Sequence, residues 1–120
     1  MSTAENFQRL ANELRHGRSA YVLAELNDLL TDASRAGLEN LDAPSIDDPY
    51  LANYVAAMVE QAVHLKGGAR VPKWTSGIPP LPRPVFAAPW MSLRAHLLLE
   101  SPVPFRRRNI FIDSSIGDRV

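Results

Sequence analysis

The sequence predicts a small, mainly α-helical domain: a helical bundle of about four helices crossed by an extended, proline-rich strap. Three segments before residue 67 carry apolar side chains at helical spacing, and each begins at a capping residue. Six of the ten prolines then fall between residues 67 and 90, where they exclude a regular helix or a central strand. Because 120 residues, 46% of them hydrophobic, can enclose one core, we expect a single domain over 1–120.

The first two helices are predicted over 3–16 and 20–36, within an acidic three-helix part. Residues Ser2 to Glu5 form a capping-box pattern, which an apolar stripe follows. Ser19 can cap the second helix, which has a wider apolar face, and Gly37 is expected to end it. The short connection favours antiparallel packing of the two helices.

The third helix is predicted over 49–66, and the strap follows it over 67–89. An Asp-Pro dipeptide at the start of this helix supplies an N-cap and a proline at the first helical position, and a pair of glycines ends the helix. The strap superficially suits the groove of a polyproline-binding domain. Its apolar side chains favour docking on the core of the same chain instead, with Trp74 and Trp90 as anchors.

The C-terminal part, residues 90–120, joins a helix to a short basic and apolar segment. A fourth helix is predicted over about 90–100, and the Ser-Pro pair behind it either ends the helix or starts a new helical turn. Residues 105–112 then join three arginines to an apolar run. For residues 110–112 the pattern is compatible with a strand and with a buried helical turn.

Charge is divided unevenly along the chain, although the formal net charge is zero. Residues 1–66 carry ten acidic and five basic side chains, a net charge of −5, and residues 67–120 carry three acidic and eight basic ones, a net charge of +5. Either the two parts attract each other within one fold, or the basic part binds a partner surface or nucleic acid. The charge count alone leaves both interpretations open.

Several classes of protein are excluded or disfavoured by what the sequence lacks. The absence of cysteine excludes disulfides, thiolate metal sites and a cysteine nucleophile, and it is typical of a reducing cytosol. The N-terminus has no secretory signal pattern, and no stretch approaches the roughly 20 apolar residues of a membrane span, so we expect a cytoplasmic protein. Ser114-Ser115 lacks a nucleophile elbow and the glycine pair lacks a phosphate-loop lysine, so we expect neither an enzyme nor a cofactor.

A basic run between apolar side chains is the candidate partner-binding site. Guanidinium groups suit partner carboxylates, and flanking phenylalanines suit buried anchors. Three successive arginines cannot all face one way, so one or two of them are expected to bind. Removing Arg106 and Arg108 together is predicted to weaken partner capture and to leave the thermal midpoint nearly unchanged; the alternative is a cluster that only balances the acidic helices. The candidate contacts are Phe105, Arg106, Arg107, Arg108 and Phe111.

Two alternative functions depend on other features. A nucleic-acid-binding accessory or regulatory protein would use the run Arg106–Arg108, although the chain lacks an overall basic excess and a recognisable nucleic-acid-binding motif. A metal-binding helical protein would use two Glu/His pairs, Glu60 with His64 and His96 with Glu100, on facing helices. Their spacing matches neither the di-iron nor the His-Glu-x-x-His pattern, so no metal is expected.

Two stretches of the chain resemble a group of short, uncharacterised bacterial proteins. These stretches are Trp90-Met91-Ser92-Leu93-Arg94 and Glu100-Ser101-Pro102-Val103-Pro104-Phe105-Arg106-Arg107-Arg108-Asn109-Ile110-Phe111, and the resemblance covers mainly residues 72–113. Those proteins resemble products of two-gene toxin–antitoxin-like loci. The resemblance implies an antitoxin-like protein that masks a partner enzyme. It therefore favours a protein–protein interaction module, the inhibitory or structural subunit of a bacterial pair, with a toxin enzyme encoded nearby as its partner.

Overall fold

The computed structural model describes residues 2–16, 19–86 and 102–111, which form a mainly helical molecule with one small parallel sheet. None of the described helices is both long enough and apolar enough to cross a membrane. In chain order, the described elements are α1 (Thr3–Glu13), a 3₁₀ helix (Leu14–His16), α2 (Ala20–Asp32), α3 (Arg35–Glu39), α4 (Pro49–Lys66), a second 3₁₀ helix (Lys73–Gly77), β1 (Val85–Phe86), α5 (Val103–Arg106) and β2 (Ile110–Phe111).

The first predicted helix is confirmed, because α1 and the first 3₁₀ helix together cover residues 3–16. Ser2 has an extended backbone, and its Oγ accepts a hydrogen bond from the Glu5 amide at 3.1 Å, as the capping-box pattern predicts. The apolar stripe, represented by Phe7 and Leu14, is buried in the core. α1 packs mainly against α2.

The second predicted helix, 20–36, is two helices in the structure. α2 stops early, Ala33 is extended, and α3 follows as a separate short helix. Ser34 causes the break, because its Oγ accepts a hydrogen bond from the Gly37 amide at 3.0 Å and so caps a new helix. The prediction that Gly37 ends the helix is therefore wrong, since Gly37 lies inside α3.

α4 is the central helix, and its bounds are those predicted. Asp48 Oδ1 accepts hydrogen bonds from the Tyr50 and Leu51 amides at 2.8 and 3.4 Å. Gly67 ends the helix with a φ of 69°, which glycine adopts without strain. Nearly every side chain from Leu51 to Val63 is buried, whichever side of the helix it occupies. A helix buried all round lies inside a core, and α4 accordingly contacts α2, α3, α5 and the second 3₁₀ helix.

The described part of the strap, residues 67–86, packs on the core, as its apolar content predicts. Trp74 Nε1 donates a hydrogen bond to the Leu41 carbonyl oxygen at 3.0 Å, and its ring centroid lies 6.2 Å from that of Phe7. The expectation of a wholly extended strap is corrected at residues 73–77, which contain no proline and form a 3₁₀ helix. The second predicted anchor, Trp90, lies outside the described residues.

Residues 102–111 lead the chain back to the strap. The predicted fourth helix, 90–100, lies outside the described residues, and α5 begins directly after Pro102, which confirms that the Ser-Pro pair is followed by a new helical turn. β2 pairs in parallel with β1, with Val85 opposite Ile110. The open choice at 110–112 is therefore resolved as strand for its first two residues, and the third lies outside the described part of the chain.

Candidate functional site

The structure separates the five predicted binding residues into a buried and an exposed group. Phe105 is fully buried, and Arg108 and Phe111 are 6% and 7% exposed. Arg106 and Arg107 are exposed. Side chains that face the interior and side chains that face solvent cannot form one contact surface. Phe105, Arg108 and Phe111 therefore lie in the interior of the described structure, and the two exposed arginines are better placed for contact with a partner. The partner-binding role of these residues stays a prediction.

Arg108 is the centre of a buried polar network with four partners. Its Nε donates a hydrogen bond to Glu60 Oε1 at 3.1 Å, and its Nη2 lies 3.0 Å from the same oxygen. Nη1 donates to Asn53 Oδ1 at 2.9 Å and to the Ile78 carbonyl oxygen at 3.3 Å. Nη2 donates to the Thr75 carbonyl oxygen at 2.6 Å. Every nitrogen of the guanidinium group thus has a partner, as burial of a charge requires. We call these five residues the arginine network.

Two members of the arginine network come from one face of α4. Asn53 and Glu60 are seven residues apart, which is about two helical turns, so they point to the same side. Asn53 Nδ2 donates hydrogen bonds to the carbonyl oxygens of Pro49 at 2.9 Å and Pro79 at 3.0 Å, so its amide joins α4 to the strap. Glu60 Oε2 accepts a further hydrogen bond from Arg107 at 3.4 Å. One buried carboxylate is therefore engaged by two arginines.

The backbone after α5 holds the strap from the other side. The Arg108 carbonyl oxygen accepts a hydrogen bond from the Leu81 amide at 3.3 Å, and Asn109 Nδ2 donates to the Leu81 carbonyl oxygen at 2.6 Å. The Asn109 carbonyl oxygen accepts from the Val85 amide at 2.7 Å. Asn109 has a φ of 64°, in the left-handed region, which asparagine tolerates better than most residues. The strap is therefore fixed between α4 and this turn.

Phe105 attaches the same turn to α4 through an apolar contact. Its ring centroid lies 5.3 Å from that of Tyr54, and the two rings meet edge to face at 78°. Burial, with a smaller effect from Tyr50, raises the pKa of Tyr54 to about 12. Tyr54 therefore carries its proton in the folded protein at pH values where an unfolded chain begins to lose it.

The stability of the protein is expected to fall as the pH rises from about 10 to 12, and Tyr54→Phe is expected to remove much of that fall. The folded-state pKa of Tyr54 lies above the unfolded value of 10.0, so its contribution is complete below pH 10 and is lost as the pH approaches 12. By pH 11 the loss should be about 1 kcal/mol. Urea unfolding of both proteins at pH 8 and pH 11 measures it, and an equal loss in the two proteins would contradict the assignment.

An open apolar groove of about 540 Å³ lies between the strap and the segment that leads into α4. Trp74, Ile78 and Leu81 line it from the strap, and Ile46 lines it from the segment before α4. Five of its lining residues are prolines, whose fixed φ angles make the walls rigid. The volume lies in the range of roughly 300–1,000 Å³ that is typical of ligand sites. We call it the strap groove.

A second, smaller cleft of about 230 Å³ adjoins the strap groove, because the two share Ile78 and Pro80 in their linings. Its other lining residues include Glu60, Arg107 and Arg108, so its walls are charged. We call it the charged cleft. The strap groove and the charged cleft together form a continuous surface in which an apolar part is followed by a polar part.

Of the alternative metal site, the structure describes Glu60 and His64. Glu60 is bound by two arginines, and His64 is exposed to solvent. His96 and Glu100 lie outside the described residues. Among the residues that the structure describes, no three His, Asp or Glu side chains lie together in a way that could hold a metal ion.

The arginine network contains residues that sequence reasoning missed. Asn53 and Glu60 are polar residues within the apolar stretch of α4, and their position there could have indicated a buried polar contact. Thr75 and Ile78 contribute backbone carbonyl oxygens, which any residue carries, so nothing in their side chains could predict the contact. The strap groove was missed as well, because it depends on how the strap docks.

Comparison of the chain with protein-family models, with curated proteins and with solved structures finds no match. The chemistry of the site therefore follows from its geometry. Rigid apolar walls provide van der Waals contact and shape, and an exposed guanidinium group provides a cation and hydrogen-bond donors. This combination is suited to binding an amphipathic surface.

Proposed function

We propose that this protein is a protein–protein interaction module that binds its partner on the strap face, which consists of the strap groove together with Arg106 and Arg107. The observation that carries the proposal is the strap groove itself, an open, largely apolar surface walled by prolines. Contiguous apolar surface rimmed by polar residues is typical of interaction sites. Rigid walls also favour binding, because little conformational entropy is lost when a preformed groove is filled.

The distribution of charge favours a protein partner over nucleic acid. Nucleic-acid binding depends on a broad positive surface that contacts several phosphates. Arg108 is buried and paired with Glu60, so of the three-arginine run only Arg106 and Arg107 face solvent. The neighbouring strap groove is apolar, which suits side chains of a protein rather than a phosphate backbone.

We further propose that the protein is the inhibitory or structural subunit of a bacterial pair, and that its partner is an enzyme encoded by the neighbouring gene. The resemblance of residues 72–113 to antitoxin-like proteins supports this proposal. More than half of the residues that line the strap groove fall within that region.

Substitution of Ile78 by Ser is expected to weaken partner capture at least about tenfold, because the apolar side chain contributes roughly 1.5–3 kcal/mol when it is fully buried on binding. Ile78 contributes only its carbonyl oxygen to the arginine network, so the fold should survive the substitution. Val71→Ser is the matched control, since Val71 lies on the same strap, is 47% exposed and does not line the groove. Isothermal titration of each variant with the product of the neighbouring gene measures the affinities.

Two results would contradict the proposal. Equal affinities for Ile78→Ser and Val71→Ser would show that the strap groove does not contact the partner. Binding of nucleic acid with a steep salt dependence, without capture of the neighbouring gene product, would favour the nucleic-acid alternative.

A further inference from the structure

The charged cleft carries an excess of positive charge beside the strap groove. Glu60 contributes one negative charge, and Arg107 and Arg108 contribute one positive charge each. The charge of Arg108 is offset by Glu60 in the arginine network, at 3.0 Å and with both side chains buried. Arg107 therefore supplies a net positive charge at the end of the groove, and exposed Arg106 precedes it along the turn.

The Arg107 side chain is arranged to accept a second anion. It is 64% exposed, and its contact with Glu60 Oε2 is long, at 3.4 Å. A guanidinium group has five donors in a planar fork that matches a carboxylate, so the contacts within the described part of the chain leave capacity for another acceptor. Arg108 cannot take this role, because its nitrogens are already used within the arginine network.

We infer that the strap face binds an acidic and apolar segment of the partner protein, in which a large apolar side chain enters the strap groove and a nearby Asp or Glu pairs with Arg107. This inference rests on the proposed function and adds the chemistry of the partner to it. Charge complementarity selects the acidic residue, and the shared lining of Ile78 and Pro80 places it next to the apolar one. The arginine network holds the strap and the turn that carries Arg107 against α4.

Capped peptides that contain one Leu and one Glu, at separations of one to four residues, test this inference. Identical peptides with Gln or Lys in place of Glu provide the comparison. Trp74 lines the groove, so its fluorescence in a full-length Trp90→Phe protein reports when the groove is filled. We expect the best Glu peptide to bind about fivefold more tightly than its Gln counterpart at low salt, with the difference shrinking as salt is added.

Reversal of the charge at Arg107 is the decisive arm of this experiment. In Arg107→Glu, the Lys peptide should become the preferred ligand, and in Arg107→Gln the Glu and Gln peptides should bind equally. Arg9→Glu is the matched control, because Arg9 is an exposed arginine on α1 that lines neither cleft. This control should keep the preference for Glu.

The possible failures can be distinguished. An unchanged preference for Glu in both Arg107 variants, or no saturable binding of any Leu–Glu peptide, would overturn the inference about an acidic segment. If Ile78→Ser nevertheless weakens capture of the neighbouring gene product, the proposed function stands and only the inference about an acidic segment fails. If Ile78→Ser has no effect on that capture either, both proposals fail.

Discussion

Arg108→Ala is expected to lower the free energy of unfolding by about 3–5 kcal/mol, because it leaves the buried carboxylate of Glu60 without its main partner. It also removes the Arg108 donor from Asn53 Oδ1 and from the carbonyl oxygens of Thr75 and Ile78. Since a domain of this size is stable by roughly 5–15 kcal/mol, the loss is a large fraction of the total. Urea unfolding monitored by circular dichroism measures it.

Arg107→Ala is the matched control for this prediction. It removes the neighbouring arginine of the same turn, which is 64% exposed and whose contact with Glu60 is long, at 3.4 Å. An exposed ion pair contributes about 1 kcal/mol or less. Equal losses for the two variants would contradict the division of the arginine run into a buried and an exposed part.

This expectation reverses the one made from the sequence. Removal of Arg106 and Arg108 was predicted to leave the thermal midpoint nearly unchanged, on the premise that both side chains face a partner. The structure buries Arg108 in a polar network, so its removal should lower the midpoint markedly. Exposed Arg106 should contribute little to that change.

Phe105→Ala is expected to lower the free energy of unfolding by about 3–5 kcal/mol, the usual cost of removing a fully buried aromatic side chain. The Phe105 side chain is completely buried, and its ring packs on the edge of Tyr54. Its loss should also loosen the turn after α5, so the Leu81 and Val85 amides, which donate to that turn, should lose protection against hydrogen exchange.

Val103→Ala controls for the position of Phe105 in α5. Val103 lies on the same short helix but is 51% exposed, so its truncation should change the stability by less than about 0.5 kcal/mol. If Phe105→Ala were as mild as Val103→Ala, α5 would not be anchored on α4 in the way described.

The charge asymmetry of the chain is explained in part by contacts within the fold. Glu60 belongs to the acidic part of the sequence, and Arg107 and Arg108 belong to the basic part. Both arginines reach Glu60 across more than forty residues of chain. The acidic and basic parts of the chain therefore attract each other where Glu60 meets Arg107 and Arg108. A surface that binds a partner through its positive charge would use the exposed Arg106 and Arg107.

Local signals in the sequence were sufficient for the helices whose ends are capped. Asp48 fixes the start of α4 and Gly67 its end, and both act within one turn of the helix, so the predicted bounds are confirmed. The break between α2 and α3 was missed, because the apolar pattern continues past it. Ser34 could have indicated a new N-cap, but a serine at this position is equally compatible with an uninterrupted helix.

Contacts between distant parts of the chain determine the features that the sequence pattern could not predict. The basic run contains three identical side chains, and only the docking of the turn on α4 determines that Arg108 points inward while Arg107 points outward. The parallel pairing of β1 with β2 joins residues 25 positions apart, from Val85 to Ile110, and a two-residue strand has too short a pattern to predict. The strap groove depends on the same docking.

A double-mutant cycle between Glu60 and Arg108 tests the central claim, that a buried ion pair attaches the turn after α5 to α4. The free energies of unfolding of Glu60→Ala, Arg108→Ala and the double variant are measured against the native chain. Each single variant leaves one charge of the buried pair without the other, and the double variant removes both charges, so we expect the two single losses together to exceed the double loss by at least about 1 kcal/mol. Losses that simply add would contradict the claim.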